Sequence, residues 1–101
     1  MQVNNPQRVF YALASAPRRQ IIAFLSQTAL CTAELAERFG TSRPAVSRHL
    51  AVLARAGLIA GERQGQRVLY RLRRDALLGA LARFASEVDG PLRTRNPRDA
   101  I

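Results

Sequence analysis

Thr41-Ser42-Arg43-Pro44-Ala45-Val46-Ser47-Arg48-His49-Leu50, continued by Ala51-Val52-Leu53-Ala54-Arg55, is the stretch on which the reading of this chain turns. Ser42 can act as an N-cap, its side-chain oxygen accepting a free amide of the first turn, and Pro44 sits where a missing N–H costs little. At about 100° per residue, Val46, Leu50 and Leu53 share one stripe, with Ala45 and His49 on its flank. The opposite pole carries Pro44, Ser47, Arg48, Ala51 and Arg55. A helix that needed only solubility would usually carry Glu and Lys there. Arginines among residues too small to hold a phosphate or a base away are what a helix inserted in a DNA groove needs, so the stretch reads as a recognition helix.

Outward from it, the pattern extends in both directions. Thr32 opens a short helix, Ala33 to Phe39, with Leu35, Ala36 and Phe39 inward and Glu34, Glu37 and Arg38 outward. Gly40 suits the position just past a helix end, and only Thr41 and Ser42 separate it from the recognition helix. Ala36, Gly40 and Val46 then have the spacing of a helix-turn-helix crossing. Beyond Ala56-Gly57, the segment Arg67-Val68-Leu69-Tyr70-Arg71-Leu72-Arg73 alternates, with Val68, Tyr70 and Leu72 on one face. With Leu58 to Arg63 before it and Gln64-Gly65-Gln66 between, it predicts a β-hairpin that can lie along a phosphate backbone as a wing.

At the N-terminal side, residues 6–14 predict a helix with Val9, Phe10 and Leu13 on one stripe. A second helix follows Ser15, with Pro17 in its first turn and Ile21, Ile22, Phe24 and Leu25 buried. Arg18 and Arg19 stand at the unfavourable end of that helix dipole and call for acidic partners or a phosphate. At the other end, Asp75 caps a helix over residues 76–88, and Gly90-Pro91 stops it. Leu77, Leu78, Leu81, Phe84, Ala85 and Val88 cover more of its circumference than one small core could bury. The surplus predicts a two-fold dimer made by the first and last helices.

Composition agrees. The chain holds 16 basic residues, every one of them Arg, against 7 acidic ones, for a formal charge of +9 that points to a polyanionic partner. One histidine, one cysteine, no paired carboxylates and no glycine-rich phosphate loop speak against an enzyme. No run of about 18 apolar residues and no signal-peptide pattern occur, so no membrane contact and a cytoplasmic location are expected, on the nucleoid when DNA is bound. Residues 1–90 are expected to form the DNA-binding and dimerisation domain. Residues 91–101 are expected to be a flexible basic tail whose Arg93, Arg95 and Arg98 embrace DNA or stay solvated.

The element order, with certain phrases, resembles the ArsR/SmtB family of bacterial winged-helix repressors. The phrases are Ala12-Leu13-Ala14-Ser15 leading into Arg18-Arg19, Thr32-Ala33-Glu34-Leu35-Ala36, and Ser42 to Leu50. Val52-Leu53 with Ala56-Gly57-Leu58, and Gly65 before Val68-Leu69-Tyr70, complete the likeness, which runs from residue 7 to residue 85. It implies a mainly α fold with a small β-hairpin: five helices and a two-stranded wing, dimeric, holding operator DNA until an inducer, often a metal ion, binds. The metal boxes depart from that pattern. Cys31 lies where sensor members carry paired cysteines, but the second position is Ala33, and the last helix offers Asp75, Glu87 and Asp89 without histidine. A lone thiolate makes no tight soft-metal site, so neither metal nor cofactor is expected and the inducer stays open.

The expected DNA-contacting residues are Thr41, Ser42, Arg43, Ser47, Arg48 and His49 on the turn and helix, and Arg63, Gln64, Gln66 and Arg67 on the wing. Arg48 is the expected base reader; Ser42, Arg43 and Ser47 sit near the helix start, where amides and hydroxyls meet phosphate. Arg55 is too far along the helix for more than a phosphate. His49 has two readings, a half-buried imidazole bonded to a neighbour or a backbone contact to DNA. Cys31 is either an inert buried thiol or a redox site at a helix start. Two alternatives to a DNA-binding repressor without a metal site therefore stand: a redox-responsive repressor acting through Cys31, and a protein-interaction module without DNA binding.

Overall fold

Most helices start behind a side chain that takes up one of their free amides. In the computed structural model, which describes residues 5–93, α1 (Pro6–Leu13) follows Asn5, whose Oδ1 accepts from Gln7 N at 2.9 Å. α2 (Ala16–Leu25) follows Ser15, whose Oγ accepts from Arg18 N at 3.4 Å. α3 (Thr32–Phe39) departs from the expected start. Its N-cap is Cys31 rather than Thr32, and the Glu34 carboxylate reaches back to accept from Cys31 N at 2.9 Å. That is the return half of a capping box, a bond that Thr32 N–H is one residue too late to donate. α4 (Arg43–Arg55) follows Ser42, whose Oγ accepts from Ala45 N at 3.2 Å.

Between α3 and α4 the chain turns through Gly40 at φ +63°, a left-handed conformation that a β-carbon would penalise. Gly40 N donates to Glu37 O at 3.3 Å and Thr41 N to Ala36 O at 3.1 Å, the paired bonds of a Schellman end. Ala36 and Val46 are buried where the two helices cross. This is the expected helix-turn-helix.

β2 (Ile59–Gln64) and β3 (Arg67–Leu72) form the expected hairpin, in antiparallel register from Ile59↔Leu72 to Gln64↔Arg67. Gly65, at φ +65°, opens its two-residue loop, the position that asks for glycine in a type II′ turn. The sheet gains one strand that the alternation did not show. β1 (Leu30–Cys31) pairs with β3 through Leu30↔Tyr70 and Cys31↔Leu69, giving the order β1-β3-β2. Two residues are too few for a period to be visible, yet they fasten the wing to the start of α3.

The core is shared by all these elements: Val9, Ile21, Leu35, Val46, Leu50, Leu53 and Leu58 are each no more than 1 % exposed. Burying a side chain of this kind stabilises the fold by about 1.5–3 kcal/mol. Among the described residues, Arg18 and Arg19 take main-chain oxygens rather than carboxylates as partners. They donate to the carbonyls that close α1: Arg18 Nε to Ala12 O at 2.7 Å, Arg18 Nη2 to Tyr11 O at 3.0 Å and Arg19 Nη1 to Leu13 O at 2.6 Å. The unfavourable start of α2 adjoins the favourable end of α1, where helix carbonyls lack partners and carry partial negative charge.

The last helix also differs from expectation. α5 spans Arg74–Arg93, and Arg73 O accepts its first bond, from Leu77 N at 3.1 Å. Asp75 therefore sits in the first turn, still at the favourable end of the dipole, instead of capping it. Gly90-Pro91 does not stop the helix, which runs on to Arg93; Pro91 stands in the last turn, so its cost to the hydrogen-bond ladder is confined to the helix's end. From residue 94 on, the expected tail lies outside the described residues. No helix among the described residues is long and apolar enough to cross a membrane.

Candidate nucleic-acid interface

The buried stripe of α4 fixes which of its residues look outward. With Val46, Leu50 and Leu53 in the core, Arg43, Pro44, Ser47, Arg48 and Arg55 are exposed, as are Thr41 and Ser42 in the turn. The first two turns of α4 thus carry Arg43, Ser47 and Arg48 beside the turn hydroxyls, toward the end of the helix with partial positive charge. Among the described residues nothing covers this surface, and no acidic residue lies in that first turn.

The wing follows directly from the end of α4. Arg63, Gln64, Gln66 and Arg67 are all exposed near its tip. Arg67 is less simple than the sequence implied. Its Nη1 lies 3.9 Å from Cys31 Sγ, so the guanidinium runs back along the sheet toward the start of α3. There the Glu34 carboxyl is held below the usual carboxylate range, first by its hydrogen bonds from Cys31 and then by the Arg67 and Arg38 charges. Cys31 itself is buried, between the wing and α3.

His49 is half-buried on the α2 side of α4, with Nδ1 3.4 Å from Arg18 Nη1. Burial, then the Arg18 and Arg48 guanidinia, hold its pKa below the ordinary histidine value, which favours the neutral ring. The first of the two sequence readings, an imidazole bonded to a neighbour, describes this geometry. His49 also lines an apolar cleft of about 180 Å³ with Pro17, Ile21, Phe39, Thr41, Ala45 and Val46. Arg18 and the cleft were missed by sequence reasoning. The signal for Arg18 was present, as a cation at the wrong end of a helix, but its partners are main-chain atoms that no pattern of side chains reveals.

Among the described residues, no three His, Cys, Asp or Glu side chains gather as a metal ion would require. The comparisons with known proteins agree with the architecture. A family model described as bacterial regulatory protein, arsR family, matches residues 15–60, from the cap of α2 to the start of the wing. The transcriptional regulator KmtR of Mycobacterium tuberculosis is 37 % identical over 94 residues, covering 91 % of this chain and 72 % of that protein.

The chain belongs to the arsR family of bacterial regulatory proteins.

The transcriptional repressor SmtB of Mycobacterium tuberculosis is 43 % identical over 61 residues, which are 60 % of this chain; the chain spans 45 % of that protein's length. A solved homodimeric winged helix-turn-helix DNA-binding domain from Mycobacterium bovis, a possible ArsR-family regulator, superposes with a TM-score of 0.68. It is 25 % identical and covers 89 % of this chain and 84 % of its own. The α2-to-β2 block that carries the family match is the block that builds the exposed cationic pole of α4.

Proposed function

We propose that this chain is a sequence-specific DNA-binding transcriptional regulator, a homodimeric repressor without the family's metal site. One observation carries the reading: the α4 pole opposite a fully buried stripe is exposed, cationic and built of small residues. The family membership and the exposed basic wing support it. Arg48 is assigned to a base edge, with Arg43, Ser47, Ser42 and Thr41 orienting the helix on phosphate. Arg63, Gln64, Gln66 and Arg67 hold backbone beside it, and His49 adds a contact from the flank. Such a protein works in the cytoplasm, on the nucleoid.

The dimer is assigned to α1 and α5, where Leu78, Leu81, Phe84 and Val88 are exposed and Phe84 packs edge-on against Phe10 at 5.2 Å. A two-fold pair would set its recognition helices about 34–36 Å apart or a multiple of that, one turn of DNA per step. No observation favours the redox reading over this one, since the Cys31 thiol is buried. The test is binding of the purified chain to genomic fragments at two salt concentrations. Affinity should fall steeply with salt, and Arg67→Ala should flatten the logarithmic salt slope by about one for each phosphate it no longer neutralises. An unchanged slope removes Arg67 from the interface; absence of binding at low salt overturns the reading and favours a protein-interaction module.

A further inference from the structure

Arg18 is only 9 % exposed and stands between α1 and the recognition helix. Its Nε–H donates to Ala12 O at 2.7 Å and its Nη2–H to Tyr11 O at 3.0 Å, and its guanidinium lies 5.1 Å from the centroid of the Tyr11 ring. Those contacts fix the plane of the fork and leave Nη1 3.4 Å from His49 Nδ1. A guanidinium offers donors only. The ring nitrogen facing it must accept, so a neutral His49 carries its proton on Nε2.

We propose that Arg18 is a positioning residue for DNA binding: it fixes the tautomer and orientation of His49 so that Nε2–H is the donor offered to a DNA phosphate. This rests on the reading of α4 as the recognition helix. The cleft that His49 lines is bordered by Pro17, in the first turn of α2, and by Thr41 and Ala45, at the start of α4. The N-terminal ends of α2 and α4 thus border the same cleft as the imidazole, and their partial positive charge is compatible with an anion at its rim. The charged groups that face the imidazole are Arg18 from α2 and Arg48 on α4 itself, and both oppose a second proton on the ring. Arginine is required at position 18 because one side chain must donate in three directions in a fixed plane; a lysine ammonium on a flexible stem cannot hold all three.

His49 is the sole histidine, so ring ¹⁵N NMR of the intact chain reads it without ambiguity. At neutral pH the wild type should show a neutral ring protonated on Nε2, and Arg18→Lys should give a mixture of tautomers. On a DNA fragment bound by the wild type, Arg18→Lys and His49→Phe should each weaken binding about ten-fold. His49→Gln can accept from Arg18 with its oxygen and donate with its nitrogen, and should stay within about three-fold of wild type. A wild-type ring protonated on Nδ1, or doubly protonated, overturns the inference without any variant having to fold. So does an Arg18→Lys protein whose tautomer is unchanged, or a His49→Phe protein that binds DNA as tightly as the wild type. A wild type that shows the Nε2–H tautomer and binds no DNA at all overturns instead the recognition-helix reading, and the phosphate role of His49 with it.

Discussion

On α4, Val46, Leu50 and Leu53 are at most 1 % exposed, and Arg43, Pro44, Ser47, Arg48 and Arg55 face out. On α5, Ala80 is the only buried residue among the described side chains, while Leu78, Leu81, Phe84 and Val88 are between 39 % and 54 % exposed. The two helices are both amphipathic, yet one commits its apolar face to this chain's core and the other leaves it uncovered. The difference identifies two outward surfaces of opposite chemistry. The cationic pole of α4 suits an anion, and the apolar face of α5, continued by Phe10 of α1, suits a second copy of the chain.

The sharpest way to break this contrast is to charge α5. Leu81→Glu with Phe84→Glu should leave a folded monomer by light scattering and lower DNA affinity by at least about 100-fold, since each half-site then binds alone. A double variant that remains dimeric would remove α5 from the interface. The matching change inside α4 acts on folding instead. Leu53→Ala should lower stability by about 2–5 kcal/mol in urea unfolding, because Leu53 is fully buried and the cavity closes only in part. A loss below about 1 kcal/mol would mean that the α4 stripe is less committed to the core than its burial indicates.

The smallest effect concerns the flank between the two faces of α4. Because His49 has a lower pKa folded than unfolded, the unfolded chain takes up a proton that the folded chain refuses. Its contribution to stability is full above the ordinary histidine range and is lost as pH falls through that range toward the lowered value. The ring is half-exposed, so the effect is screened and worth a few degrees in Tm at most. His49→Gln should remove this part of the acid sensitivity; wild type and variant losing Tm in parallel between about pH 7.5 and about pH 5.5 would contradict the assignment.

What the residues revealed directly was what repeats or caps. The stripe of α4, the glycine turn at Gly40 and the alternation of β3 each depend on local spacing, and each stands in the structure as the sequence implied. What escaped depends on main-chain atoms or on pairing at a distance. β1 exists only because two residues meet β3 some forty positions later, and Arg18 is satisfied by carbonyls that every residue carries. The end of α5 escaped for a different reason: Gly90-Pro91 is a stop signal by propensity, and propensity is a weak prior at a helix's last turn. Within the candidate interface, exposure of the outer α4 residues was legible, whereas the return of Arg67 toward Cys31 was not, because it needs the β1–β3 pairing to bring them together.

If the outer pole of α4 reads DNA bases, Arg48 is its most direct witness. Selecting bound sequences from a random duplex library with wild type and with Arg48→Ala tests it in one measurement. The wild type should enrich a two-fold symmetric site. Arg48→Ala should no longer discriminate at one base pair in each half-site, at about 1–3 kcal/mol for each guanine it ceases to read. Enrichment of the same site by both proteins with equal affinity would contradict the claim.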